Sequence, residues 1–170
     1  MKLASHYMNK KKDTTSASRG LIICTASNAG LYPFPVAPLY ATSKFGVIGL
    51  VRSLAFPLQR HGIQINGLAP AVLGEAHTNR TLTMCAHLLS LTPYLCAETN
   101  IAPSKDLFKE MVITPMETLI HGVAKFEADP SLSGEIAEIH GSEVTLRPPH
   151  EFVDEDTGNN IKVFTNLGYA

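Results

Sequence analysis

Residues 20–74, GLIICTASNAGLYPFPVAPLYATSKFGVIGLVRSLAFPLQRHGIQINGLAPAVLG, decide the fold. Leu21, Ile22, Ile23 and Cys24 form a continuous apolar run closed by Thr25, Ala26 and Ser27. A short run that is apolar on both faces is what a central parallel strand requires, because helices cover such a sheet on both sides. Asn28 to Pro38 contains Gly30, Pro33, Pro35 and Pro38 and reads as a loop. A helix starts at about Pro38, since proline is tolerated in a first turn. Val47, Ile48, Val51, Leu54, Ala55 and Leu58 then make one apolar stripe, and Gly62 closes the helix. Pro57, inside the stripe, is expected to kink the last turn or end the helix early. Ile63 to Leu68 gives a second buried strand, after which Ala69 to Gly74 turns away. Strand, helix and parallel strand make a βαβ unit, and the fold class is α/β.

Outward from this unit the signals weaken. Met1 to Lys12 resembles the end of a helix, with Leu3, Tyr7 and Met8 at near-helical spacing and a lysine cluster at the negative end of the dipole. Asp13 to Gly20 is a polar loop, and residues 75–110 mix helical and loop signals. Met116 to Glu127 is an amphipathic pattern with Pro115 at its start. Asp129 to Ser133 is a turn, and Glu135 to His140 alternates as a strand does. After Arg147 the chain is polar and is expected to be poorly ordered. The expected organisation is one domain over residues 1–147 with a polar tail over 148–170.

Composition bounds the function. The 170 residues carry 14 basic and 15 acidic side chains, a formal charge of −1, with 45% hydrophobic content. This is a core-forming composition without the positive surplus that nucleic acid or an anionic membrane attracts. No apolar run approaches the roughly 20 residues of a membrane span. Cys24, Cys85 and Cys96 lack metal or redox spacing, and Cys24 reads as a small buried hydrophobe. An odd count without a secretory segment points to a reducing, cytoplasmic setting. The seven histidines are scattered, so no metal site is expected. Ser27 lacks the flanking glycines of a hydrolase elbow.

The chemistry lies with Ser27, Tyr40 and Lys44. Tyr40 and Lys44 are four apart at a helix start and share one face. Ser27 closes the preceding strand, at the carboxyl edge where open α/β sheets bind ligands. Moving a hydride from a carbinol carbon requires a proton to move on its oxygen. A free tyrosine ionises near about 10, and a nearby ammonium commonly lowers such a value by about one to three units. A serine hydroxyl can hold the substrate oxygen in attacking geometry.

Residues 20–74 resemble the core of the short-chain dehydrogenase/reductase family. LIICTASNAG is similar to its fifth strand and serine loop, YATSKFGVIGLVRSLA to its active-site helix, and GIQINGLAPAVL to its sixth strand and cofactor loop. More loosely, SLSGEIAEIHGS resembles the last strand. The resemblance implies a partial Rossmann-like, doubly wound parallel sheet of about three strands with flanking helices. It also implies NAD or NADP as cofactor and an alcohol or ketone as substrate. Tyr40 would be the general acid/base and a cofactor contact, and Lys44 would tune the phenol and bind ribose. Ser27 would hold the substrate oxygen, while Pro70 and Leu73 approach the nicotinamide. The apolar stretch LTMCAHLLSLTPYLC adds an expectation of a lipophilic substrate.

The pattern also departs from the family. None of the twelve glycines forms the phosphate-binding G-x-x-x-G-x-G or G-x-G-x-x-G loop. Ala71 replaces the usual glycine after Pro70, and Glu75 stands where a threonine or serine is common. The resemblance therefore implies an N-terminally truncated member, lacking the first four strands. Two functions are expected from this: hydride transfer between NAD(P) and a small molecule, or a catalytically inactive remnant that associates with a full-length relative. In the family the Tyr40 helix and the one ending near Lys12 commonly form the dimer contact, so a homo-oligomer is expected as well.

Overall fold

The computed structural model describes residues 2–10, 18–74 and 111–167. The lysines at 11 and 12, the loop over 13–17, Glu75, the lipophilic stretch, Cys85 and Cys96 lie outside the described residues.

Strands β1 (Gly20–Thr25), β2 (Ile63–Pro70), β3 (Ile136–His140) and β4 (Glu143–Arg147) form one sheet in that order. The first three are parallel, with Ile22 against Ile65 and Leu68 against Ala137, and β4 is antiparallel to β3. Helices α1 (Lys2–Asn9), α2 (Pro38–Gln59), α3 (Met116–Ala128) and α4 (Glu155–Leu167) complete the described elements. This is the expected α/β, partial Rossmann-like arrangement.

Two apolar layers sandwich the sheet. On one face Ile48 and Val51 of α2 pack on Ala26, Ile65, Ala69 and Ile136. On the other, Phe126 of α3 packs on Leu68, Ala137 and Ile139, flanked by Leu119 and Val123. Every residue of β2 is buried, as its place between β1 and β3 and between two helices demands. β1 lies at an edge of the described sheet and is only half-buried. Cys24 packs against the α2 layer, and burial pushes its thiol up from the ordinary value of 9.0.

β2 also carries two buried amides. Gln64 Nε2 donates to the Phe126 and Asp129 carbonyls at 2.9 and 3.2 Å. Asn66 Nδ2 donates to Leu132 O at 2.9 Å, and its Oδ1 accepts from Glu135 N at 3.0 Å. Together they staple the loop between α3 and β3. Asn66→Leu should therefore cost about 1–3 kcal/mol, because it leaves a part-buried carbonyl and a part-buried amide without their partner. The shift in urea midpoint at constant slope measures it.

Three sequence expectations need correction. Of the two outcomes expected at Pro57, the early end does not occur, and the helix runs on to Gln59. Pro57 removes the donor for the carbonyl of Ser53, an exposed residue, so water can replace it. The described sheet has four strands rather than three, because the polar EVTLR segment pairs back on β3 through a tight turn in which Gly141 has φ 52°. The stretch expected to be poorly ordered holds α4. Asp154 Oδ1 accepts from Thr157 N at 2.7 Å, an N-cap followed by Glu155 and Asp156 in the first turn. Gly158 lies against Phe152, where a Cβ would come within 3.1 Å of the ring.

Candidate active site

β1 delivers the serine. Ala26 N extends the ladder to Leu68 O at 2.7 Å, and Ser27 follows in extended conformation at φ −169°. The Ser27 hydroxyl accepts from Ala29 N and donates to Asn28 Oδ1, both at 3.2 Å, capping the short 3-10 turn Asn28–Gly30. Gly30 N then bonds Ser27 O at 2.9 Å. The turn reaches the helix at Gly30, where a Cβ would lie 2.7 Å from the Lys44 carbonyl oxygen. Only glycine permits this approach, since the obstacle is backbone and cannot rotate away.

α2 delivers the tyrosine and lysine. Pro38 opens the helix, and Tyr40 and Lys44 sit a turn apart, both half-buried. The Lys44 Nζ stands 5.4 Å from the Tyr40 ring centroid and donates to Thr25 O at 3.3 Å. The ammonium thus ties the helix to the end of β1. Phe34 meets the Tyr40 ring edge-on at 6.2 Å. Lys44 and Tyr40 are brought together as expected; the Ser27 turn is brought against the same helix, while both Ser27 hydroxyl bonds stay within its own turn.

Partial burial lowers the Lys44 value from the ordinary 10.5. Burial penalises the charged form, so this lysine weighs against folding at neutral pH. That cost is relieved as pH rises through its folded value toward 10.5. A titration of the lysine side-chain resonances should show Lys44 losing its proton before the exposed lysines. A Lys44 midpoint at or above theirs would contradict it.

Pro70 ends β2, buried and paired with Ile139. Leu73 forms an isolated parallel bridge with Thr114. Thr114 N donates to Val72 O at 2.8 Å and Thr114 O accepts from Gly74 N at 3.0 Å, which leaves the N–H and C=O of Leu73 directed away from Thr114. Thr114 is itself held, its Oγ1 accepting from Gly141 N at 3.1 Å. No local pattern announced this role, because a lone threonine just ahead of a helix carries no periodicity of its own. Gly30 was legible only as a loop residue.

Among the described residues no group of three or more histidine, cysteine, aspartate or glutamate side chains could hold a metal ion. Among them, no helix is long and apolar enough to cross a membrane.

Residues 1–84 match the short chain dehydrogenase family model. The chain belongs to the short-chain dehydrogenase/reductase family. The cis-2,3-dihydrobiphenyl-2,3-diol dehydrogenase of Rhodococcus globerulus is 48% identical over 58 residues, 34% of this chain and 20% of that protein. The enzyme of that name from Pseudomonas sp. (strain KKS102) is 37% identical over 87 residues, 51% of this chain and 31% of that one. Among solved structures, a 3-hydroxyacyl-CoA dehydrogenase type-2 from Mycobacterium avium superposes with a TM-score of 0.58 at 22% identity, over 87% of this chain and 51% of that one. NADP-bound ElxO superposes at 0.56 and 24% identity, over 83% and 50%. At this identity these two show the fold. The chain spans about half the length of these structures and a third or less of the curated relatives.

Proposed function

We propose that the protein is an NAD(P)-dependent oxidoreductase that moves a hydride between the cofactor and an alcohol or ketone, with Tyr40 as general acid/base. The observation that carries this is the Lys44 ammonium, held between the Tyr40 ring and the Thr25 carbonyl at the carboxyl edge of the sheet.

The nicotinamide half of a cofactor fits the residues present. The amide and carbonyl of Leu73, which point away from Thr114, could pair with a carboxamide, Pro70 would lie beside it, and Lys44 would offer donors to ribose hydroxyls. The phosphate half lacks its usual glycine-rich loop among the 170 residues. When bound, the cofactor supplies the hydride acceptor or donor. The protein's own part is the proton: the Tyr40 hydroxyl gives it to, or takes it from, the substrate oxygen. The ammonium of Lys44 stabilises negative charge developing on the phenol oxygen. Ser27 would turn its hydroxyl from Asn28 to the substrate oxygen, holding it beside Tyr40. The dihydrobiphenyl-diol relatives suggest a lipophilic vicinal diol as the first substrate to try.

The experiment is a titration with NADH and NADPH followed by cofactor fluorescence. Saturation at or below ~1 mM is expected, the upper range of ordinary enzyme affinities. A linear, unsaturable response to both removes the proposal.

Association through α2 has its own support. Leu39, Phe45, Leu50 and Phe56 are exposed on that helix, beside Gly46 and Gly49, which face open space. Leu3 and Tyr7 of α1 are exposed as well. Such a surface suits a second copy or a full-length relative. Size-exclusion with light scattering should return a dimer mass, and a clean monomer at high concentration counts against it. We take residues 1–147 as the unit carrying the site and 148–170 as an appendage. The free, half-buried thiol of Cys24 is in keeping with a cytoplasmic setting.

A further inference from the structure

Glu138 is 6% exposed and sits in β3 between Ala137 and Ile139, both fully buried. A lone carboxylate there would be costly, so its partners matter. Arg147 Nε of β4 donates to Glu138 Oε2 at 2.5 Å, and Nη2 forms an ion pair with the same oxygen at 2.5 Å. The Tyr32 hydroxyl donates to the same oxygen at 3.1 Å and accepts from Arg147 Nη2 at 2.6 Å. Two side chains, one from the adjoining strand and one from the distant 27–32 turn, thus converge on one Glu138 oxygen.

Tyr32 belongs to the loop that carries Ser27. Its amide donates to Asn28 O at 2.9 Å, so the backbone from Ser27 to Tyr32 is one hydrogen-bonded unit. The front of this unit is fixed by the β1 ladder and its middle by the Gly30 contact on Lys44. At its rear Leu31 packs on the apolar layer, and the Tyr32 hydroxyl adds the directional bond to β3. The clamp is also tied to the tyrosine helix. Arg52 Nη2 of α2 donates to the carbonyls of Arg147 and Pro148 at 3.2 and 3.0 Å.

We propose that Glu138 and Arg147 are positioning residues: acting through Tyr32, they lock the 27–32 turn, and with it the Ser27 hydroxyl, against the Tyr40–Lys44 helix. The lock rests on geometry alone, whereas its catalytic consequence rests on the oxidoreductase proposal. A structural ion pair would stabilise the whole sheet edge; a positioning clamp acts on one turn.

The test uses Tyr32→Phe and Glu138→Gln in the full chain. Hydrogen exchange of the Gly30, Leu31 and Tyr32 amides should quicken about tenfold in both variants, the loss of one ordinary hydrogen bond, while Ile65 to Leu68 stay unchanged. Unchanged exchange in the turn, or equal acceleration in β2, overturns the clamp. In turnover of cis-2,3-dihydrobiphenyl-2,3-diol with NAD, both variants should lower kcat at unchanged cofactor KM, and Arg147→Lys should retain more activity than Arg147→Met. A raised cofactor KM at unchanged kcat also overturns the clamp. If the unaltered protein binds neither cofactor, the oxidoreductase proposal fails and the exchange measurement alone decides.

Discussion

Replacing Tyr40 by phenylalanine should reduce kcat by about 10²–10⁴-fold, the contribution of a positioned acid/base group. Cofactor affinity should fall far less than kcat, since the main part of the phenol oxygen is to move the substrate proton and its cofactor contact is secondary. The substitution keeps the ring, so the edge contact with Phe34 and the ammonium over the ring both survive. Stability should therefore hardly move. Lys44→Met differs in kind: it removes the charge beside the phenol and the bond to Thr25 O, so cofactor affinity and kcat should fall together. Single-turnover hydride transfer separates the two. Tyr40→Phe retaining more than about a tenth of wild-type kcat would remove the assigned role.

Phe126→Ala should destabilise the protein by about 3–5 kcal/mol, the usual range for emptying a buried phenylalanine site. Phe126 is fully buried and is the largest side chain of the layer beneath α3, resting on Leu68, Ala137 and Ile139. A domain of this size commonly has about 5–15 kcal/mol in all, so the loss takes a large share. The effect should reach the site, because the same layer seats β2, whose end places Pro70 and the Leu73 bridge. Phe126→Leu keeps most of the apolar volume and should cost under half as much, about 1–2 kcal/mol. Urea unfolding of the two variants checks both figures. A loss below about 1 kcal/mol for alanine would mean that the α3 layer does not hold the sheet.

The sequence made the central unit legible because each part announces itself locally. LIIC is apolar on both faces, the stripe from Val47 to Leu58 repeats with the helical period, and Gly62 marks the stop with φ 70°. The four-residue spacing of Tyr40 and Lys44 fixes their shared face whatever surrounds them. Helix α4 shows where local reading erred. Its Asp154 cap and acidic first turn were present in VDEDTG, yet the polarity of the stretch outweighed them. β4 erred differently: five residues of mixed polarity become a strand only through the edge that β3 offers.

What the sequence settled by itself was the βαβ order and the pairing of a phenol with an ammonium on one helical turn, because both follow from periods of two and 3.6 along a single segment. Tertiary structure alone decided which distant groups close the site. Gly30 meets Lys44 backbone to backbone, Thr114 pins the loop at Leu73, and Tyr32 reaches Glu138 across 106 residues. Such contacts depend on where the sheet sets separate segments side by side, and no local pattern encodes that distance.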